Sequence, residues 1–141
     1  MQQRDITTAE NISDYGLHHL EYNCRVDHSI LEETIQELSL CTSPFMPSQL
    51  IYFLDVLYYQ LIDHSTDQEI TMLKQAFPDY IEHREQHSKA IELLTSTNHQ
   101  QLCDNANNAL ELTNALQEWS ATHQQQERQY AIFQESLRFA R

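Results

Sequence analysis

Glycine is nearly absent from this chain, and proline is scarce. In 141 residues there is one glycine and there are three prolines, at Gly16, Pro44, Pro47 and Pro78. A sheet of many strands needs far more turn residues than this. The length suits one domain with a real core, so the sequence predicts a single all-helical domain.

Cysteine is also sparse. Cys24, Cys41 and Cys103 are an odd number of widely separated residues without a CxxC spacing. This distribution disfavours both a disulfide framework and a thiolate metal site. We therefore expect reduced cysteines that pack as small apolar side chains.

Positive charge is the third scarcity. Eight lysines and arginines stand against 21 acidic residues, for a formal net charge of −13. Such a field repels phosphate backbones and anionic membrane surfaces, and no apolar run reaches the roughly 18 residues of a membrane span. The N-terminus is polar and does not have the pattern of a signal peptide. We expect a cytoplasmic protein that binds neither nucleic acid nor membrane.

Four stretches carry apolar residues at three- and four-residue steps, the spacing of one helical face. They lie near 17–40, 48–75, 79–97 and 104–137. Pro47 is tolerated in a first helical turn, whereas Pro78 separates the second and third stretches. Short connections favour an antiparallel up-down-up-down four-helix bundle over 17–141, preceded by an N-terminal arm at 1–16.

Five of the eight histidines fall on these apolar stripes, and they come from all four helices: His28, His64, His83, His87 and His123. A single histidine of this kind is usually a core residue satisfied by a neighbour. Five together indicate a metal site, because neutral imidazole is the commonest nitrogen ligand. The other three, His18, His19 and His99, are expected in solvated or outer positions.

Spacing within the helices supports the same interpretation. His83 and His87 are one turn apart and form a chelating pair. The motifs His64-x-x-x-Gln68 and His123-x-x-x-Glu127 place a side-chain oxygen one turn beyond a histidine. The candidate metal residues are thus the five histidines with Gln68 and Glu127.

These motifs resemble the hemerythrin family. The segment from Phe77-Pro78 to His83-x-x-x-His87 is similar to the family's YP-x-x-x-x-H-x-x-x-H, and Trp119-x-x-x-His123 is similar to its W-x-x-x-H. His64 lies 19 residues before His83, and Asp27-His28 resembles the first-helix motif. The resemblance covers 17–137.

The resemblance implies two non-haem irons. His83, His87 and His123 would hold one iron, and His28 and His64 would hold the other, with two bridging carboxylates. Dioxygen would bind reversibly at the second iron.

Three positions depart from the pattern: Gln68, Arg128 and Ser65. Gln68 stands where the family has a bridging glutamate, and an amide cannot bridge as an anion, so a single iron is the alternative to two. Glu69 lies about 140° from His64 around the helix, whereas Asp67 lies about 60° away and could substitute for the glutamate.

The second and third departures concern the fourth helix and the pocket. Arg128 stands at the aspartate position of oxygen carriers, but His123-x-x-x-Glu127 matches related regulatory domains, so we expect Glu127 inside and Arg128 outside. Ser65 replaces a shielding phenylalanine.

The leading hypothesis is a hemerythrin-like iron protein that binds dioxygen or nitric oxide as a binder or sensor, rather than as an enzyme. One alternative is a di-iron redox enzyme that acts on peroxide or nitric oxide or oxidises ferrous iron. Another is a metal-poor hemerythrin-fold interaction module. No feature of the sequence identifies a protein partner.

Overall fold

The structure is a computed structural model that describes residues 27–139. Five helices occur in this range: α1 (His28–Leu40), α2 (Pro47–Lys74), α3 (Tyr80–Thr95), α4 (His99–Asp104) and α5 (Ala106–Phe139). No strand is present among these residues. The all-helical class is therefore confirmed. The predicted arm at 1–16, the predicted helical residues 17–26, and His18, His19 and Cys24 lie outside the described residues.

Local side-chain chemistry sets the helix ends. The carboxylate of Asp27 caps α1 by accepting a hydrogen bond from the backbone N–H of Ile30 at 3.2 Å. Pro47 occupies the first turn of α2, where its missing N–H costs nothing.

The end of α2 is a Schellman motif. The N–H of Phe77 donates to the carbonyl of Met72 at 3.0 Å, and that of Ala76 donates to Leu73 at 3.1 Å. Ala76 has a φ of 54°, in the left-handed region that favours glycine. The motif turns the chain into Pro78 and begins α3 at Tyr80.

Helix α4 was not predicted, because the helical stretches at 79–97 and 104–137 leave residues 98–103 in the connection between them. The side chain of Asn98 accepts hydrogen bonds from the backbone N–H groups of Gln100 and Gln101, at 2.8 and 3.2 Å. Asn98 is therefore the N-cap of this helix. Buried Leu102 anchors this short helix.

The four long helices contact one another in a circuit. Helix α1 packs against α2 and α5, and α3 also packs against α2 and α5, while α4 rests on α5 and α2. No helix in the described part of the chain is both long enough and apolar enough to cross a membrane.

The core consists of two apolar clusters separated along the helices by a polar layer. The larger cluster includes Leu57 and Leu61 of α2 and Leu116 of α5, all with no exposed surface. The smaller cluster contains Met72, Phe77 and Tyr130. Each fully buried leucine contributes about 1.5–3 kcal/mol to folding. The polar layer between the clusters contains the predicted histidines.

Candidate metal centre

Three helices each bring a pair of polar side chains, one turn apart, into the layer between the apolar clusters. Helix α2 contributes His64 and Gln68, α3 contributes His83 and His87, and α5 contributes His123 and Glu127. The five residues other than Glu127 are at most 1% exposed, and the Glu127 side chain is 15% exposed. The face assignments predicted from the helical stripes are thus found in the structure.

Glu127 is the centre of this cluster. Its Oε2 atom lies 3.2 Å from His64 Nε2, 3.4 Å from His83 Nε2 and 3.1 Å from His123 Nε2. Its Oε1 atom accepts a hydrogen bond from Gln68 Nε2 at 2.9 Å. The Glu127 carboxylate therefore contacts polar side chains from α2 and α3 and from its own helix, α5.

A subset of these residues has the arrangement of a metal site. His87 Nε2 lies 3.1 Å from His123 Nε2. One ligand atom from each of His64, His87, His123 and Glu127 lies within 4.8 Å of all the others. This buried group could hold a metal ion.

Two buried polar atoms beside the group have no hydrogen-bond partner. His83 Nε2 is close to Glu127 but is not aligned with it for a hydrogen bond, and Gln68 Oε1 also lacks a partner. A buried unsatisfied polar atom costs about 1–3 kcal/mol. A cation at this position would give both atoms an electrostatic partner, so the donor set fits a metal ion.

His28 lies on the other side of His123. Its Nδ1 is 3.2 Å from His123 Nδ1, whereas the Nε2 of His123 faces Glu127. The second ring nitrogen of His28 lies 3.3 Å from Glu32 Oε2. The structure therefore places His28 next to the four-residue group without including it.

The electrostatics of the site favour uncharged His87 and His123 beside an ionised Glu127. Burial, reinforced by His123 and the other neighbouring histidines, lowers the pKa of His87 well below its usual range. Burial likewise lowers the pKa of His123 to about 4, against the opposing effect of Glu127. Neutral imidazole is the form that binds metal ions.

Glu127 shows the opposite balance. Burial by itself would raise its pKa, but the ring nitrogens of His123, His64 and His83 beside the carboxylate outweigh burial and hold the pKa below its usual range. Glu127 is thus an anion at neutral pH, as a metal ligand must be.

Two outer residues hold the ligand rings in place. Glu69 Oε2 and His87 Nδ1 form a hydrogen bond of 2.7 Å. Trp119 stacks on His123 with ring centroids 4.6 Å apart and planes 13° apart, and its Nε1–H donates to the carbonyl of Gln86 at 2.6 Å. Such outer contacts orient metal ligands.

Glu69 contacts the candidate site, and sequence reasoning did not place it there. Its angle of about 140° from His64 around α2 argues against a role as a replacement for Gln68, and the spacing indicates no other role. The available signal is general: a buried ligand histidine carries an N–H on the ring nitrogen that does not bind the metal, and this N–H needs an acceptor. Which acceptor meets it depends on how α2 and α3 pack.

A surface cleft of about 360 Å³ adjoins the site at His83. Its walls come from both sides of the α3–α5 contact and include Gln86, Gln126 and Gln129. Of the paired side chains in the polar layer, His83 lines this cleft.

No family model, curated protein or solved structure matches this chain. The case for the candidate site therefore rests on the geometry and burial of its own residues.

The other residues singled out in the sequence lie outside the group of four. Arg128 is exposed, whereas its neighbour Glu127 points inward, as the helical register predicts. Ser65 is buried and His99 is exposed. Asp67, the predicted substitute for the bridging glutamate, is not one of the four grouped residues.

The described cysteines stand apart from the metal group. Cys41 is buried, as expected, but Cys103 is only partly buried, and both are free thiols. Burial, together with the charge of Glu37, raises the pKa of Cys41. This shift keeps the thiol protonated and disfavours metal binding by Cys41.

Proposed function

We propose that this chain is a hemerythrin-like non-haem iron protein that binds dioxygen or nitric oxide as a binder or sensor. The observation that carries the proposal is the buried group of His64, His87, His123 and Glu127, whose ligand atoms lie within 4.8 Å of one another. Burying three imidazoles and a carboxylate together is costly unless they share a partner.

The chemistry of the ligands favours iron. Three imidazoles and one carboxylate, with no thiolate among them, form a mixed nitrogen and oxygen set typical of non-haem iron. Structural zinc sites are more often closed tetrahedra that contain cysteine. When bound, iron supplies an open coordination position for a diatomic ligand, which a closed structural site does not have.

The helix contacts support a hemerythrin-like arrangement. Helices α1, α2, α3 and α5 contact one another in a closed circuit, which is the pattern of a four-helix bundle with ligands on its facing helices. We infer an antiparallel up-down-up-down bundle, with α4 as an addition in the connection between α3 and α5.

We further propose that one iron is held tightly and that a second is held weakly or not at all. Gln68 contributes a donated hydrogen bond to Glu127 in place of the anionic bridge that the family resemblance implies. A second cation in this layer would therefore lack the negative charge that compensates it.

The surrounding residues would then have separate tasks. Glu127 supplies the negative charge, and Trp119 covers one face of the His123 ring. The cleft beside His83 provides access for a small ligand. The glutamines in its wall make this route polar.

The test combines metal analysis with absorption spectroscopy. Protein purified after growth with iron should contain at least about one iron per chain, and its spectrum should change when air or nitric oxide is added to the anaerobic ferrous protein. His123→Ala should lose both properties, and His99→Ala should keep them. A metal-free, colourless protein that takes up no added ferrous iron would instead support the interaction module.

A further inference from the structure

We propose that Glu69 is a positioning residue that holds His87 in the tautomer required for metal binding. This inference rests on the proposed metal function and goes beyond it, because it assigns a role to a residue outside the ligand set. The hydrogen bond between His87 Nδ1 and Glu69 Oε2 is 2.7 Å long.

The proton assignment follows from the acceptor. Burial raises the pKa of Glu69, against the opposing charges of Arg84 and His64. In its ionised form Glu69 can only accept hydrogen bonds, so Nδ1 of His87 then carries the hydrogen. A neutral imidazole has one N–H, which leaves a lone pair on Nε2. That atom lies 3.1 Å from His123 Nε2, on the side of the metal group.

Burial makes this contact effective. His87 is 1% exposed, and the Glu69 side chain is 21% exposed, so solvent competes weakly for the hydrogen bond. The contact between His28 and Glu32 offers a contrast, since it is 3.3 Å long and Glu32 is 44% exposed. An exposed contact of that kind contributes little.

The carboxylate has two effects on His87. It fixes the orientation of the ring relative to α2, because Glu69 follows Gln68 directly on that helix. It also increases the electron density on Nε2, which makes the ring a stronger ligand. Loss of such an outer partner typically reduces metal affinity by about 10- to 100-fold.

The first measurement is equilibrium titration of the metal-free protein with Co²⁺, followed by absorption. Glu69→Ala should weaken binding about 10- to 100-fold. Glu69→Gln should fall between it and the wild type, because the amide oxygen still accepts the hydrogen bond but carries no charge. Glu111→Gln removes the same charge from an exposed position on α5 and should leave affinity unchanged.

The second measurement is long-range ¹H–¹⁵N NMR of the histidine rings in the metal-free protein. The wild type should show His87 as the Nδ1–H tautomer, and Glu69→Ala should add the Nε2–H form. A purely structural role for Glu69 would not move this signal.

The two measurements separate the inference from the proposed function. If the wild type binds no Co²⁺ or ferrous iron, the proposed function fails, while the NMR spectrum still tests the role of Glu69. If the wild type binds metal, but Glu69→Ala binds it within about twofold of wild type and keeps the tautomer, then the inference about Glu69 is wrong and the proposed function stands.

Discussion

Replacing Gln68 by glutamate should have opposite effects on the metal-free and the metal-loaded protein. The amide nitrogen of Gln68 lies 2.9 Å from Glu127 Oε1, so the variant places a second carboxylate directly against the first. Two negative charges at about 3 Å repel by about 6 kcal/mol at an effective dielectric constant of about 20.

Protonation limits the destabilisation of the metal-free protein. A glutamate has an ordinary pKa of 4.5, and each pKa unit corresponds to about 1.4 kcal/mol. Neutralising one carboxylate therefore costs about 3 kcal/mol at pH 7 and less than about 1 kcal/mol at pH 5. The like charge raises the folded-state pKa of the new carboxyl, so the loss of stability grows as the pH rises above 4.5.

When metal is bound, Gln68→Glu should no longer reduce the folding stability of the protein. The second carboxylate would supply the anionic bridge that the proposed site lacks, so we expect iron content to rise from about one towards about two ions per chain. The metal-loaded variant should then be at least as stable as the metal-loaded wild type, since ligands that bind only the folded state stabilise it.

The assay is urea unfolding in the presence of a chelator at both pH values, followed by iron analysis of the reconstituted protein. Gln125→Glu makes the same change at an exposed position of α5 and serves as the control. If both variants unfold alike at pH 7 and bind the same amount of iron, Gln68 does not lie at the metal, and the reasoning is refuted.

Three further predictions concern the ligands and the end of α2. Glu127→Gln should weaken Co²⁺ binding by at least about a thousandfold, because two unit charges about 4 Å apart interact by about 4 kcal/mol and Co²⁺ carries twice the unit charge. Titration of exposed Arg128→Ala should show unchanged affinity, and the reverse ranking would mean that α5 is rotated. His83→Ala should weaken metal binding by about 10- to 100-fold, while His99→Ala should leave the affinity unchanged; equal affinities in a metal titration would make His83 structural. Ala76→Gly should stabilise the protein by about 1 kcal/mol, since glycine adopts the left-handed conformation without strain, and an unchanged or lower thermal midpoint would contradict this account of the helix end.

Much of the fold follows from local pattern. The recurrence of leucines in α2 predicts its buried face, and Pro78 predicts the break before α3. The same reasoning distinguishes Glu127 from Arg128, because the two positions differ by about 100° around the helix. Faces and breaks are local properties, so sequence spacing is sufficient to predict them.

Other features depend on packing that spacing does not reveal. Asn98 is a residue found in both loops and N-caps, and burial of Leu102 is what makes the following segment a helix. Glu69 lies off the inward stripe of α2 and reaches His87 only because α2 and α3 pack together. The position of His28 beside the far nitrogen of His123 likewise depends on the contact between α1 and α5.

The central claim is that His64, His87, His123 and Glu127 hold an iron ion. The most direct test is an anomalous difference map, measured at the iron absorption edge from crystals of the iron-loaded protein. The account predicts a strong peak within bonding distance of these four side chains. A map with no peak there, or with peaks only at surface carboxylates, would contradict it.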